Sequence, residues 1–357
     1  MSLWIAAGLA ACMFAIFWKS RLQFSRLSHL APGGALLPDS VLIVIPARDE
    51  AKNIGRCLDS LVGQGAAIRV VDDGSSDATS AISIQKGAEV IAAPPLLAGC
   101  FGKPSACYAG SKDVTARWLL FVDADTWYEP GFVQAVVAHA EDAKLDVISV
   151  MLDHQCRNLW ESALVPYSFG VLFTGVDLES VHSIKLQQLL AFGHCILFRT
   201  EAYEFTGGHR TVLRSVVDEL GVAQVVKRHR LRYEITRGEK FGHVRPGPSF
   251  LSQWRGYLRT IFTFLRLNPA TLVLQYCFAV LVTLCWAPML WWLWREGETI
   301  ATWTFAVVPM LATLVWYRSP LRAILAPIAI YVFAGAVLSS LLAHLFDISG
   351  VWKGRRI

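Results

Sequence analysis

The stretch Trp118-Leu-Leu-Phe-Val-Asp-Ala-Asp125 decides the fold, because a short apolar run ends in two carboxylates. Its first five residues are rich in strand-forming side chains, which predicts a buried β-strand. Side chains alternate along a strand, so Asp123 and Asp125 point to one side while Ala124 points to the other. Paired carboxylates at the carboxyl end of a buried strand lie where open α/β sheets bind ligands, and they suit a hard divalent cation.

Three upstream segments have the same apolar character. Residues 41–45, 68–71 and 89–92 are predicted to be strands, and helical spacing follows the first of them over residues 53–61. Strands that alternate with helical stretches predict a mostly parallel sheet with right-handed crossovers. No Gly-x-Gly-x-x-Gly pattern follows any of these strands, so the sequence argues against an enzyme that uses a nicotinamide dinucleotide.

Acidic residues follow three of the four predicted strands. They are Asp49 and Glu50, Asp72 and Asp73, and Asp123 and Asp125. Any one of these pairs is explained by the preference of aspartate for turns and helix caps. Acids at three strand ends predict a single crevice rim that can bind a ribose, a base N–H and a metal ion.

The composition predicts a membrane protein. The chain has 357 residues, of which 54% are hydrophobic and only 17% charged. The apolar excess falls in four runs, at residues 3–18, 271–294, 302–317 and 323–346. Basic residues follow the first run, which favours an uncleaved anchor over a signal peptide. The same charges place the basic side of the anchor, and with it the globular domain, in the cytoplasm. Some runs are short for a membrane span, and the positive-inside rule favours two crossings over three among the C-terminal runs.

These observations divide the chain into five predicted parts. They are a membrane anchor at 1–20, an α/β domain at 38–250, an interfacial amphipathic helix at 251–268, a transmembrane bundle at 269–347 and a basic tail at 348–357. The interfacial helix is predicted because Trp254, Leu258 and Ile261 fall on one helical stripe, and Arg255 and Arg259 on another. The alternative is an ordinary amphipathic helix packed on its own domain.

The cysteines and the net charge indicate in which compartment the protein lies and which partners it has. The eight cysteines form no Cys-x-x-Cys pair and no zinc spacing, which predicts free thiols in a reducing compartment. The formal net charge of +5 is modest, and the basic residues cluster near the membrane runs. A lipid bilayer is therefore predicted as a partner, and nucleic acid is not.

Several short motifs follow one another over about residues 41–260. They are Val44-Ile-Pro-Ala-Arg-Asp-Glu50, Val70-Val-Asp-Asp-Gly-Ser-Ser-Asp77, Gly102-Lys103, Phe121-Val-Asp-Ala-Asp125, Phe192-Gly193, Gly207-Gly-His209 and Asp218-Glu219. Taken in this order, they resemble the motifs of the membrane-bound family 2 glycosyltransferases of the GT-A fold. In layout and tail, the chain is most similar to family members that glycosylate lipids, namely the ceramide glucosyltransferases and the hopanoid- and carotenoid-associated bacterial enzymes.

The resemblance implies a Rossmann-like catalytic domain with one N-terminal and two to three C-terminal transmembrane helices, in a bacterial inner membrane. It also implies inverting transfer from a nucleotide-diphosphate sugar, with UDP expected, to a hydroxyl of a membrane lipid, with Mg²⁺ or Mn²⁺ as cofactor. The implied nucleotide-binding residues are Pro46, Asp49, Glu50, Asp72, Asp73, Lys103 and Asp123. The implied metal ligands are Asp123 and Asp125. The implied acceptor residues are Gly207, Gly208, His209, Gln253 and Arg255.

The sequence departs from the family pattern in two places. The family commonly has Glu-Asp at the catalytic base, where this chain has Asp218-Glu219, so either carboxylate can be the base. Processive synthases carry Gln-x-x-Arg-Trp, whereas Gln253-Trp-Arg-Gly-Tyr257 keeps only the glutamine in register. Transfer of a single sugar is therefore favoured over polysaccharide synthesis. A catalytically silent membrane protein of the same fold is the third reading.

Overall fold

The computed structural model describes residues 1–37, 39–183, 188–247, 249–268, 270–317, 319–345, 351–352 and 355–356. The chain folds into two compact units. The first unit comprises Met1–Arg26, Cys156–Ser180 and Pro246–Ile357, and the second comprises Leu27–Gln155 and Val181–Arg245. Each unit is therefore built from segments that are far apart in the sequence.

The elements, in chain order, are as follows. The strands are β1 Ser28–His29, β2 Val41–Ala47, β3 Ala67–Asp72, β4 Glu89–Ala92, β5 Trp118–Val122, β6 Thr126–Tyr128, β7 Val147–Met151, β8 Asp153–His154, β9 Cys195–Arg199, β10 Tyr233–Arg237, β11 Gly242–Val244, β12 Val351–Trp352 and β13 Arg355–Arg356. The α-helices are α1 Ser2–Ser25, α2 Ile54–Leu61, α3 Thr79–Gln85, α4 Gly102–Gly110, α5 Phe132–Asp142, α6 Leu159–Gly175, α7 Leu178–His182, α8 Thr200–Thr206, α9 Asp218–Arg228, α10 Phe250–Leu267, α11 Ala270–Leu284, α12 Trp286–Arg295, α13 Thr299–Ala306, α14 Val308–Thr313, α15 Pro320–Ala323 and α16 Ala326–Leu345. Two 3₁₀ turns span Gly208–Val212 and Leu314–Trp316.

The second unit is an α/β domain around an eight-stranded sheet. The strand order is β1-β10-β7-β9-β5-β2-β3-β4. Neighbouring strands are parallel except at β9, which is antiparallel to both β5 and β7. The prediction of a mostly parallel sheet is confirmed. All four predicted strands lie within observed strands, and the predicted helix at 53–61 appears as α2.

The central strands form because their side chains are buried on both faces of the sheet. Every residue of β5 is buried, and Val41, Ile43 and Ile45 of β2 have no exposed surface. Burying each such side chain contributes about 1.5–3 kcal/mol. Helix α4 packs closely against this sheet because Gly110 lacks a side chain: a Cβ atom there would lie 2.5 Å from Cγ1 of Val44. Close packing of α4 places the residues of its first turn near the carboxyl ends of the strands.

A smaller sheet of three strands lies in the same unit. Its order is β6-β11-β8, with β11 antiparallel to β6 and parallel to β8. Trp127 of β6 stacks on His243 of β11, and the ring centroids are 5.5 Å apart. His243 Nε2 also lies 3.1 Å from Glu129, and β6 begins directly after Asp125.

The first unit is helical. Its helix α6 begins at a capping box in which the Glu161 carboxylate accepts bonds from the backbone N–H groups of Arg157 and Asn158. Gly170 of α6 allows a close approach of Phe17 on α1, because a Cβ atom would lie 2.7 Å from its ring. Among the described residues, three helical stretches are long and apolar enough to cross a membrane: Ser2–Ser25, Val273–Arg295 and Thr299–Trp316. This agrees with the predicted N-terminal helix and two to three C-terminal helices.

The helix predicted over 251–268 is present as α10. Its Trp254 packs over Gly335 of α16, at 3.2 Å from the position that a Cβ would take. The position of α10 at the membrane surface stays a prediction. Of the predicted basic tail, only β12 and β13 belong to the described part of the chain, where they pair antiparallel, and residues 348–350, 353–354 and 357 lie outside it.

Candidate functional site

A cavity opens in the α/β unit where β2 and β5 end. Five of the predicted site residues line it: Pro46, Lys103, Asp123, His209 and Asp218. Pro46 and Asp123 come from neighbouring parallel strands, which accounts for their meeting at one edge of the sheet. The cavity therefore joins residues predicted for the nucleotide, the metal, the acceptor and the base.

Lys103 is the charged centre of this cavity. It lies in the first turn of α4, and its Nζ lies 2.7 Å from Asp123 and 3.9 Å from Asp218. It also donates a hydrogen bond of 3.1 Å to the carbonyl of Gly193. Burial alone would lower the pKa of this ammonium, but the charges of Asp123, Asp218 and Glu219 raise it well above its ordinary value. Lys103 therefore stays charged and links the two carboxylates.

Asp125 is the second acid of the pair that follows β5. Burial, and then the charges of Asp123 and Glu50, raise the pKa of Asp125 to about 7. A divalent cation would relieve this repulsion, and oxygen ligands of this kind fit Mg²⁺ or Mn²⁺. Within the described ranges, no group of three or more His, Cys, Asp or Glu side chains could hold a metal ion. The two aspartates therefore fit an ion whose remaining ligands come from a diphosphate or from water.

Asp49 and Asp72 join the loops that follow β2 and β3. The Asp49 carboxylate accepts a bond of 2.7 Å from the Ser76 N–H, and the Asp49 N–H donates to Oγ of Ser75 at 3.0 Å. Asp72 accepts bonds from both the N–H and the hydroxyl of Ser75, at 2.9 and 2.6 Å. Although burial opposes it, this bonding lowers the pKa of Asp72. Asp49 thus connects the loop after β2 to the loop after β3, and Asp72 stabilises the turn within the second loop.

Asp73 and Glu50, the other two acidic residues of these loops, also make contacts close to them. The Asp73 N–H donates to the Ala47 carbonyl at 2.9 Å, and its carboxylate lies 3.7 Å from Arg48. The Glu50 N–H donates to the Thr79 hydroxyl at 2.8 Å. Each of the four acidic residues thus makes a hydrogen bond or an ion pair close to its own loop. Their contact with a nucleotide stays a prediction.

The backbone conformation of the segment Gly207-Gly208-His209 explains its two glycines. Gly207 ends α8 with φ of +75°, and Gly208 has φ of +49°. A Cβ on Gly208 would overlap the ring of Tyr203, so this position has no room for a side chain. The acceptor roles assigned to the two glycines stay predictions.

His209 is buried in the cavity wall, with 2% of its surface exposed. Its Nδ1 lies 2.9 Å from the Tyr203 hydroxyl, and its backbone N–H donates to the same oxygen at 3.1 Å. Burial lowers the pKa of His209 to about 4, opposed by the charge of Asp218. The imidazole is therefore neutral at pH 7. Tyr203 was not predicted from the sequence, because no motif marks an aromatic residue in a short helix as part of a site.

The two candidate bases open helix α9. Asp218 is its first residue, lines the cavity and exposes 12% of its side chain. Glu219 packs against Gly193, where a Cβ would lie 3.0 Å from the Glu219 carboxyl group. Acids in the first turn of a helix are stabilised by its dipole. Of these two candidate bases, Asp218 is the one that lines the cavity.

The remaining predicted acceptor residues lie on α10 in the helical unit. Gln253 is buried, and its side-chain amide donates to the Tyr257 hydroxyl at 3.2 Å. Arg255 is exposed. Their roles toward an acceptor stay predictions.

Comparison with known proteins defines the class of this domain. Residues 42–207 match the family described as Glycosyl transferase family 2. This segment of the α/β unit therefore carries the sequence pattern of the family 2 glycosyltransferases, which confirms the resemblance read from its motifs.

Individual proteins are also similar to this chain. The 4,4'-diaponeurosporenoate glycosyltransferase of Staphylococcus aureus (strain MRSA252) is 27% identical over 207 residues, which cover 57% of this chain and 55% of that protein. The chain thus spans about half the length of the curated relatives it matches. The mannosyltransferase PcManGT from Pyrobaculum calidifontis, solved with GDP-Man and Mn²⁺, has a TM-score of 0.57 and 16% identity. That superposition covers 98% of this chain and 100% of the other, and it shows a shared GT-A fold.

Proposed function

We propose that this protein is an inverting glycosyltransferase that moves a sugar from a nucleotide-diphosphate sugar to a hydroxyl of a membrane lipid. The observation that carries the proposal is the cavity in which Lys103 lies 2.7 Å from Asp123 and 3.9 Å from Asp218. A donor-side carboxylate and a base-side carboxylate thus face one small volume. The family 2 domain over residues 42–207 supports a transfer reaction there.

On the donor side, the residues would bind a nucleotide diphosphate. Asp123 and Asp125 would hold a Mg²⁺ or Mn²⁺ ion, which supplies charge neutralisation of the leaving diphosphate as a Lewis acid. Lys103 adds a point charge to the same phosphates. The loops held by Asp49 and Asp72 supply the surface for ribose and base, with UDP as the expected nucleotide.

On the acceptor side, we assign the base to Asp218. Its carboxylate takes the proton of the acceptor hydroxyl while that oxygen forms a bond to C1 of the sugar and the bond from C1 to the diphosphate oxygen breaks. One displacement inverts C1 and needs no covalent intermediate on the protein. A positioned base of this kind contributes about 10²–10⁴-fold to the rate.

Two observations support a lipid acceptor. Three helical stretches of the described chain could cross a membrane, so the domain is tethered near lipid. The curated relative at 27% identity is named a diaponeurosporenoate glycosyltransferase, which supports an apolar acceptor. We place the protein in a bacterial inner membrane with the catalytic domain in the cytoplasm.

The test is release of nucleotide diphosphate by the full chain purified in detergent. A panel of UDP- and GDP-sugars is offered with bacterial lipid extract, with and without Mn²⁺ or Mg²⁺. We expect release that requires one sugar, lipid and metal, that is lost in Asp125→Ala and that persists in Asp142→Ala, an exposed aspartate of α5. Absence of release with every donor from a folded protein would refute the proposal, and release by Asp125→Ala at the full rate would refute the metal role.

A further inference from the structure

The carbonyl oxygen of Asp123 accepts the last bond of a small hydrogen-bonded network beside the predicted metal ligands. The Thr126 N–H donates to this oxygen at 3.3 Å, which closes the turn of residues 123–126. The Thr126 hydroxyl donates to the same oxygen at 2.7 Å, and the Cys57 thiol donates to it at 3.7 Å. All three bonds go to the main chain. They hold the turn and use neither the carboxylate of Asp123 nor that of Asp125.

The protons of this network are assigned by counting donors. A threonine hydroxyl has one proton and a carbonyl oxygen can only accept, so the Thr126 proton goes to Asp123. The Tyr128 hydroxyl lies 2.9 Å from Oγ1 of Thr126 and is therefore the donor of that bond. Burial raises the pKa of the Cys195 thiol beside Tyr128, so this thiol stays protonated and does not take the phenol proton. The bonds thus run from Tyr128 through Thr126 to Asp123.

The network belongs to the buried core of the α/β unit. Thr126, Tyr128 and Cys57 expose 1%, 4% and 0% of their surfaces. The Tyr128 ring stacks on Phe132 of α5, with the ring centroids 4.2 Å apart, and Cys57 belongs to α2. A change in the turn would leave buried polar groups without partners, which is costly. The turn is therefore held in one conformation before any ligand arrives.

The same turn carries two like charges that have to stay together. Without a cation, the carboxylates of Asp123, Asp125 and Glu50 repel one another. This repulsion favours conformations in which the carboxylates move apart, and an ion would then bind only the fraction of molecules in which they are close. A turn fixed by main-chain bonds reduces the cost of ordering the two aspartates when an ion binds.

We propose that Thr126 is a positioning residue for the metal ion, because its hydroxyl, oriented by Tyr128, fixes the turn that carries Asp123 and Asp125. The inference rests on the proposed function, in which these two aspartates hold Mg²⁺ or Mn²⁺. Thr126 acts through the turn and not as a ligand, because its hydroxyl is buried and bonded to Asp123 and Tyr128.

The affinity for Mn²⁺ tests the proposal. The ion is titrated into the full chain in detergent, alone and with UDP or GDP present. Thr126→Val keeps the branched shape of the side chain and removes its hydroxyl, whereas Thr126→Ser keeps the hydroxyl. We expect Thr126→Val to bind Mn²⁺ about tenfold more weakly, and Thr126→Ser to bind it as wild type does. Tyr128→Phe, which keeps the ring and removes the donor, should show a smaller loss in the same direction.

Thr200→Val is the matched control. The Thr200 hydroxyl is also buried and donates to a carbonyl oxygen, that of Ala116 at 2.6 Å, but it lies at the opposite end of β5. This substitution should lower the unfolding temperature and leave the affinity for Mn²⁺ unchanged. The proposal would be overturned by wild-type affinity in Thr126→Val or Tyr128→Phe, or by an equal loss in Thr126→Ser or Thr200→Val.

A measurement without metal separates this inference from the proposed function. Exchange of the Thr126 amide hydrogen, followed by mass spectrometry of the metal-free full chain, measures the order of the turn. We expect faster exchange in Thr126→Val than in wild type and Thr126→Ser, and equal exchange in all three would overturn the positioning role. If wild type binds no Mn²⁺ alone or with either nucleotide, the proposed metal role fails and the positioning of an ion fails with it, while the exchange rates still show whether Thr126 holds the turn.

Discussion

At the scale of single residues, crowding of like charges raises the pKa of one carboxyl group in this site. Asp123, Asp125 and Glu50 lie close enough that the pKa of Asp125 rises to about 7, while Lys103 compensates the charge of Asp123. Without a cation, the raised pKa favours a protonated Asp125. A metal ion bound as proposed would therefore compete with that proton for Asp125.

The affinity for Mn²⁺ should consequently depend on pH. Because the pKa of Asp125 is raised to about 7, the side chain is protonated below that pH and must lose its proton to bind the metal. We expect the affinity to fall by about tenfold per pH unit below about 7 and to level off above about 8. Titration calorimetry with the full chain measures it. Asp125→Asn should bind weakly at every pH, and a wild-type affinity that is the same at about pH 5.5 and about pH 8 would contradict the prediction.

Substitution of the two acids at the start of α9 separates their roles. Asp218 lines the cavity, whereas Glu219 packs against Gly193. We expect Asp218→Asn to lower kcat by about 10²–10⁴-fold with little change in the affinity for UDP, because a base acts only in the transition state. Glu219→Gln should have the smaller effect on kcat. The reverse order of the two variants would assign the base to Glu219.

At the level of elements, the position of Lys103 depends on how closely α4 packs on the sheet. A Cβ on Gly110 would lie 2.5 Å from Val44 and 2.7 Å from Val71, both of which are buried. Gly110→Ala should therefore destabilise the α/β unit by about 1–3 kcal/mol through overpacking.

Thermal unfolding in detergent measures this effect, and activity of the folded fraction shows whether Lys103 has moved. Gly55→Ala on α2 is the matched control, because its nearest neighbour would be Ile82 at an ordinary contact of 3.5 Å. It should be neutral or stabilising by up to about 1 kcal/mol. Equal unfolding temperatures for the two variants would show that α4 has room to shift.

Local sequence patterns were enough to predict four strands and to show that acidic residues follow three of them. Four strands and α2 appear where apolar runs and helical spacing predict them, because each is determined by burial along one segment. Patterns of this kind say nothing about pairing across long distances. The antiparallel β9 and the bond between Tyr203 and His209 depend on which segments meet, and no local pattern records that.

At the level of the whole molecule, the two units differ in how apolar their helices are. Within the described residues, the helical unit contains three stretches that could cross a membrane, and the α/β unit has a buried core of its own. The orientation is testable with the full chain, because the α/β unit contains many lysines and arginines. We expect trypsin to cleave it in inside-out vesicles and to leave it intact in spheroplasts, and cleavage in intact spheroplasts would contradict a cytoplasmic domain.

The helical unit also has a consequence for how the chain is made. Helix α1 packs against α6, with Phe17 against Tyr167 and Phe24 against Phe173, yet the whole of β1 to β8 is translated between the two helices. At a bacterial ribosome this interval lasts on the order of ten seconds. As a membrane-spanning helix, which its length and composition allow, α1 would have to remain helical in lipid or in the insertion machinery during that time, before its partner exists. A nascent chain stalled before α6 should therefore crosslink to that machinery through α1, and release from it should follow synthesis of α6.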